Sequence, residues 1–306
     1  MGEKLSLYGF NNLTKTLSFN IYDVCYAKTQ TEQEDYLAYI DEQYNSTRLT
    51  HILRQVTELI GAQILNISRQ DYEPQGASVN ILIAEQNIPD QAVDPTCNLG
   101  RVSETETAGK AAPGAGEVAA PATLLNTPTD AAPASAATAF RSRRDTVHAH
   151  LDKSHVTVHT FPESHPDNAV CTFRVDIDVQ TCGTVSPLNI LDFLIASFDS
   201  DIITIDYRVR GFTRDITGKK FFMDRDFQSI QNYIDNKTLR QYDAIDVNVY
   251  QANIWHTKML IKEKEFELQN YLFNTDALHL PPHERLSITK RLRQEMFEIF
   301  SGNNIY

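Results

Sequence analysis

Apolar residues recur at two different spacings in the first ninety residues, and these spacings predict strands and helices in turn. Every second position is apolar across 17–21 and again across 79–83, which predicts half-buried strands. Apolar residues at helical spacing predict one helix over about 31–45 and a second over about 47–60. A further strand is predicted at 64–67, so this part of the chain has an α+β pattern.

Polar residues and glycines predict where these elements begin and end. Thr31 and Glu34 have the spacing of a capping box at the start of the first helix. Gly61 predicts the end of the second helix, because glycine tolerates the left-handed conformation that ends helices. The segment Asp71–Gly76 contains a proline and a glycine and predicts a turn between two strands.

The second half of the chain repeats the α+β pattern. Strict alternation predicts strands that begin near Val156, Phe173 and Ile203, and shorter strands at 246–250 and 259–261. Helices are predicted from Pro187 and over 284–300. The last helix is expected to bury one apolar side, formed by Leu286, Leu292, Met296 and Phe300.

Composition separates the two halves. Order is expected to about residue 96, and Ala, Pro, Thr and Gly dominate the middle of the segment that follows, about 97–145. Such a segment buries too little apolar surface to offset its chain entropy, which predicts a disordered insert. Two α+β segments therefore flank the insert, and we expect them to form one structural unit.

Charge and cysteine content narrow the class of protein. The net charge of −12 argues against a nucleic-acid-binding protein, which normally carries a basic face. The four cysteines, Cys25, Cys97, Cys171 and Cys182, lie at long irregular spacings that fit neither a disulfide framework nor a zinc ribbon. No apolar run approaches the length of a membrane span, so a cytoplasmic protein with no membrane partner is expected.

Candidate chemistry concentrates where order returns, in the segment 151–163. Ser154 stands at its front, and histidines surround it at His148, His150, His155, His159 and His165. A histidine-metal hydrolase is therefore one hypothesis, although the spacings match no established zinc motif. No G-x-S-x-G surrounds Ser154, so a serine-hydrolase elbow is not supported. Strand alternation places Ser154 and His159 on opposite faces unless the chain bends. Cys182 is predicted to end a strand before Gly183, at the rim of a pocket or packed as a small apolar residue.

Three spaced motifs resemble one family. Lys153–Glu163 (KSHVTVHTFPE), Thr181–Gly183 and, upstream, Tyr72–Ser78 (YEPQGAS) are similar in order and spacing to the pyruvoyl-dependent S-adenosylmethionine decarboxylases. The runs Gly9–Lys15 and Asp206–Asp215 resemble the longer, enterobacterial-type prokaryotic subgroup. The resemblance covers nearly the whole chain outside roughly 97–145, and the long insert is its main departure.

The resemblance implies a proenzyme that cleaves itself between Lys153 and Ser154. Ser154 would become a pyruvoyl group that binds substrate as a Schiff base, and residues 1–153 and 154–306 would become the β and α chains. His159 would accept a proton during processing, and Ser78 would assist it. Cys182 would donate the proton that completes decarboxylation.

The same resemblance implies the substrate, the cofactors and the assembly. Glu163 would bind the ribose hydroxyls of S-adenosylmethionine, and Tyr72 would stack on its adenine. The product would be S-adenosyl 3-(methylthio)propylamine, the aminopropyl donor for spermidine. Mg²⁺ is implied for the subgroup, at an unassigned site. The expected fold is an α/β sandwich of antiparallel sheets with outer helices, in a dimer or tetramer of αβ heterodimers. A non-processing regulatory paralogue that binds adenosylmethionine remains the non-enzyme alternative.

Overall fold

Ten strands and five α-helices form the part of the chain that the computed structural model describes, residues 12–84, 154–165, 168–183, 185–224 and 226–305. The strands are β1 Thr14–Tyr26, β2 Gln63–Asp71, β3 Ala77–Ala84, β4 Ser154–His165, β5 Asn168–Cys182, β6 Ile202–Arg210, β7 Thr213–Arg214, β8 Lys220–Phe221, β9 Tyr242–Asp246 and β10 Ile254–Ile261. The helices are α1 Gln30–Gln43, α2 Ser46–Leu59, α3 Leu191–Ser197, α4 Asn236–Leu239 and α5 Pro282–Ser301. The predicted α+β class is confirmed.

Eight of the strands form one antiparallel sheet in the order β2-β3-β4-β5-β1-β6-β10-β9. β1 lies between β5 and β6, and β3 pairs with β4, so strands from before and after residues 85–153 are intermixed in one sheet. β7 and β8 form a separate two-stranded hairpin.

Alternation along the strands gives the sheet two different faces. Residues such as Leu17, Phe19 and Ile21 point to one face and are fully buried in the main core, where α1, α2 and α3 pack. We call this the helix face. Residues of the opposite parity form the open face, which α5 covers at one end through a second apolar cluster that includes Ile288, Leu292 and Met296.

Three predicted details are wrong. The capping box of α1 is formed by Thr29 and Glu32, two residues earlier than predicted, with Glu32 N donating to Thr29 Oγ1 and Thr29 N donating to Glu32 Oε2. Leu286 is 73% exposed, because the buried side of α5 follows the four-residue spacing of Ile288, Leu292 and Met296. The strand predicted at 246–250 ends at Asp246, and residues 250–252 form a 3₁₀ turn instead.

The predicted insert at 97–145 and Cys97 lie outside the described residues. Within the described ranges, no helix is both long and apolar enough to cross a membrane.

Candidate functional site

Ser154 is the first residue of β4 and faces Ile83 on β3. It is 3% exposed and shares its face with Val156 and Val158, so its position corresponds to the helix face. Lys153 lies outside the described residues, as do His148 and His150. The structure therefore describes only one side of the predicted cleavage site.

His159 lies on the open face between two polar residues of the neighbouring strands. It is directly opposite Ser78 on β3 and directly opposite Asp176 on β5. Asp176 accepts hydrogen bonds from Asn20 Nδ2 at 2.8 Å and from Arg174 Nη2 at 2.7 Å. An exposed histidine beside hydroxyl and carboxylate groups can accept and pass on a proton.

Tyr72 joins this group through its hydroxyl, which donates to Ser78 Oγ at 2.8 Å. Tyr72 is 41% exposed, so it does not belong to the buried core. The turn that carries Tyr72 is closed by its own N–H, which donates to Gly76 O at 2.8 Å. We call Tyr72, Ser78 and His159 the histidine group.

Gly76 fixes the path of this turn. Its φ is +91°, and a Cβ at this position would lie 2.7 Å from the backbone oxygen of Thr160. Its N–H donates to Asp41 Oδ1 at 2.8 Å, which ties the turn to α1. Only glycine satisfies both the left-handed conformation and the close approach of β4.

Cys182 ends β5 opposite Thr14 of β1, as the sequence predicts. It is half-buried, whereas the other two described cysteines, Cys25 and Cys171, are buried and face each other across β1 and β5. Burial raises the pKa of the Cys171 thiol to about 12 and raises that of Cys25 further. Of the three, Cys182 is the thiol placed to reach a ligand.

The structure separates the predicted site residues into two places. Ser154 and Cys182 lie at the same end of β4 and β5, since His155 faces Gln180, but on opposite faces of the sheet. His159 lies five residues further along β4, which is roughly 16 Å at the rise of a strand. Cys182 lies six residues from Asp176, the neighbour of His159, which is roughly 20 Å.

Glu163 lies further along β4, on the open face with His159. It is exposed, and its Oε2 accepts a hydrogen bond from Thr172 Oγ1 at 2.9 Å. Its carboxylate retains room for further donors, as a ribose-binding role would require.

Among the residues that the structure describes, no three His, Cys, Asp or Glu side chains are grouped so that they could hold a metal ion. Thus His155, His159 and His165 do not form a ligand set with one another. The predicted magnesium site has no counterpart in these ranges.

Comparison with known proteins identifies one family. A family profile described as S-adenosylmethionine decarboxylase matches residues 131–211. A relative from Alkaliphilus oremlandii (strain OhILAs), named S-adenosylmethionine decarboxylase proenzyme, is 64% identical over 304 residues, covering 99% of this chain and 98% of the relative. Proteins of the same name from Clostridium botulinum (strain Eklund 17B / Type B) and Hahella chejuensis (strain KCTC 2396) are 61% identical over 303 residues and 53% identical over 305 residues. They cover 99% and 100% of this chain, and 97% and 99% of the respective relatives.

A crystal structure of Trypanosoma brucei AdoMetDC-delta26 monomer is 13% identical and covers 81% of this chain and 65% of that chain, with a TM-score of 0.30.

Proposed function

Because the chain belongs to the S-adenosylmethionine decarboxylase proenzyme family, we propose that it decarboxylates S-adenosylmethionine with a pyruvoyl group made from its own Ser154. The observation that carries this proposal is the 64% identity over nearly the full length of both chains. The product would be S-adenosyl 3-(methylthio)propylamine with CO₂, an aminopropyl donor for spermidine.

Self-cleavage would begin with attack of Ser154 Oγ on the carbonyl carbon of Lys153. The acyl group moves from nitrogen to oxygen, β-elimination releases residues 1–153 with a free carboxylate, and hydrolysis of the residual enamine with loss of ammonia leaves the pyruvoyl group. His159 is the proton acceptor in this proposal. Ser78 and Tyr72 support it, because Ser78 faces His159 and is itself held by the Tyr72 hydroxyl.

In turnover, the pyruvoyl carbonyl would serve as the electron sink that pyridoxal phosphate provides in other decarboxylases. Cys182 would protonate the carbon that loses CO₂, and its half-buried place at the end of β5 supports access to a ligand. Glu163 would accept hydrogen bonds from the ribose hydroxyls, and the exposed ring of Tyr72 would stack on adenine.

The two fragments would stay together as one unit after cleavage. β1 and β3 precede the cleavage site, and they pair with strands that follow it: β1 with β5 and β6, and β3 with β4. These backbone ladders support an αβ heterodimer as the functional protomer.

A second copy of the protomer would complete the site. Ser154 and the histidine group are roughly 16 Å apart along one strand, beyond the reach of a serine and a histidine side chain. A twofold arrangement of two protomers would set Ser154 of one beside the histidine group of the other. This supports the predicted dimer, or a tetramer built from it. The backbone at Ser154 would also have to change locally, because the Ser154 side chain is buried on the helix face.

The enterobacterial-type subgroup and the cytoplasmic location are also part of the proposal. They rest on the runs Gly9–Lys15 and Asp206–Asp215 and on the absence of a long apolar run. Magnesium stays a prediction of that subgroup, and no step here depends on it.

Intact mass spectrometry of the denatured protein tests the proposal. We expect two chains that divide between Lys153 and Ser154, with a ketone on the C-terminal chain that borohydride reduces. Ser154→Ala should give one uncut, inactive chain. An uncut wild-type chain would favour the non-processing paralogue, and activity lost on chelation without any cleavage would favour the histidine-metal hydrolase.

A further inference from the structure

A lysine is fully buried directly behind the turn that follows Cys182. Lys15 lies on β1 between Thr181 of β5 and Val209 of β6, and its exposed fraction is 0%. Lys15 alternates with the same spacing as Leu17, Phe19 and Ile21, so its side chain extends to the helix face. The Cys182 side chain lies on the open face.

The ammonium of Lys15 binds this turn directly. Nζ donates to Gly183 O at 2.9 Å and to Val185 O at 3.1 Å, and it forms an ion pair with Asp224 Oδ2 at 2.5 Å. An ammonium has three N–H donors, so it can donate to all three of these acceptors at once.

Other bonds reinforce the same turn. Gly183 N donates to Leu13 O at 3.0 Å, and Thr181 Oγ1 donates to Val185 O at 3.2 Å. Val185 O therefore accepts from both Thr181 and Lys15. These two carbonyls have left the strand ladder in a half-buried region, and Lys15 supplies a donor to each of them.

A buried charge is costly unless it is paired, and an apolar residue at this position would avoid that cost. Here the lysine holds two carbonyls that lie within three residues of Cys182. We propose that Lys15 is a positioning residue for Cys182, and that Asp224 holds the Lys15 ammonium in place. This inference rests on the proposed role of Cys182 as proton donor.

The main test uses the double variant Lys15→Met/Asp224→Asn, which removes the three donors without leaving an unpaired buried charge. We expect complete self-cleavage, a KM within about threefold of the wild type and a kcat at least about tenfold lower, since small misplacements of a reacting group have effects of this size. Lys262→Met is the matched control, because Lys262 Nζ also donates to a backbone carbonyl, that of Arg240 at 3.0 Å, far from Cys182. The control should retain the wild-type kcat.

Alkylation by iodoacetamide, mapped by peptide mass, provides a readout that general destabilisation would not reproduce. Cys182 should react faster in the double variant than in the wild type, whereas the buried Cys25 and Cys171 should remain unreactive in both. Wild-type kcat and an unchanged Cys182 alkylation rate in the double variant would overturn the inference.

Two further variants keep the test decisive. Normal turnover by Cys182→Ala would refute the proposed function of Cys182, which is a different failure from normal turnover by the Lys15 variant. If the double variant does not fold, Asp224→Asn alone weakens the hold on the Lys15 ammonium and leaves the lysine in place. It should lower kcat by about threefold, the size of one hydrogen bond, and an unchanged kcat together with an unchanged Cys182 alkylation rate would overturn the inference.

Discussion

Ser154 and His159 belong to the same strand, yet their side chains lie on opposite faces of the sheet and their positions are roughly 16 Å apart along the strand. If self-cleavage needs both, they must come from different protomers. Co-expression of Ser154→Ala and His159→Ala chains with different tags tests this. A mixed dimer would contain one intact site, so we expect the His159→Ala chain to be cleaved only in the presence of its partner.

The matched control for this complementation is His159→Ala expressed alone, which should remain uncut. A His159→Ala chain that stays uncut in purified mixed dimers would place Ser154 and His159 of one protomer in the same site. Cleavage is read by intact mass, with the tags distinguishing the two chains.

Cys182→Ala should separate processing from turnover. Because Cys182 is proposed to act only in decarboxylation, we expect complete cleavage and a kcat lower by about a hundredfold or more, a typical effect of removing a general acid. Cys171→Ala is the control: Cys171 is buried and its pKa is raised to about 12, so its loss should reduce stability and leave kcat unchanged. Wild-type decarboxylation by Cys182→Ala would assign the proton donor to another group.

Gly76→Ala should damage the histidine group through the backbone. The new Cβ would meet Thr160 O at 2.7 Å, so β4 and the turn must move apart. Gly218→Ala is a close control, because its φ of +88° matches the +91° of Gly76 but nothing lies within 4 Å. We expect Gly218→Ala to lower the unfolding free energy by about 1 kcal/mol and Gly76→Ala by at least about twice as much.

Urea denaturation measures both free energies, and the cleavage rate of Gly76→Ala should fall as well. Equal losses of stability in the two variants would show that the contact with Thr160 adds nothing to the cost of Gly76→Ala.

Asp23 and Asp201 make stability depend on pH. Their side chains share a hydrogen bond, and Asp201 also accepts from Tyr271 OH at 2.7 Å and Val24 N at 2.9 Å. Burial raises the pKa of Asp201 to about 6, and burial together with the Asp201 charge raises the pKa of Asp23 well above its usual value. Raised pKa values favour the protonated forms, so this contribution is complete below about pH 4 and is lost as the pH rises through about 6.

Asp23→Asn keeps a donor for Asp201 and removes one titrating group. Its unfolding free energy should therefore improve relative to the wild type between pH 5 and 8, by on the order of 1 kcal/mol. Asn80→Ser, at an exposed site of β3 without a titrating group, should show a difference from the wild type that does not vary with pH. Parallel pH curves for Asp23→Asn and the wild type would contradict the assignment.

Local features of the site could be predicted from the sequence. Alternation alone places Ser154 and His159 on opposite faces, and the burial pattern of β4 confirms it. The end of a strand at Cys182 and the turn at Gly76 follow from glycines at fixed positions. These features depend on residues that are close in the chain.

Features that depend on strand register could not be predicted. Asp176 faces His159 only because β4 and β5 pair in one particular register. A register shifted by two residues would satisfy the same alternation. The sequence does indicate that Lys15 is buried, since it lies on the same face of the strand as residues 17, 19 and 21. Its acceptors come from segments about 170 and 209 residues away, which no local pattern specifies.

The strand order also gives the timing of cleavage a kinetic consequence. β1 lies between β5 and β6, and β3 pairs with β4, so three ladders of the sheet join a strand from before residue 153 to one from after it. An uncut chain can form these ladders in a first-order reaction, whereas two separated chains would have to find each other in a second-order one. Refolding from denaturant should then slow on dilution for the cleaved protein and not for Ser154→Ala. Folding before cleavage would therefore avoid the second-order association of the two chains.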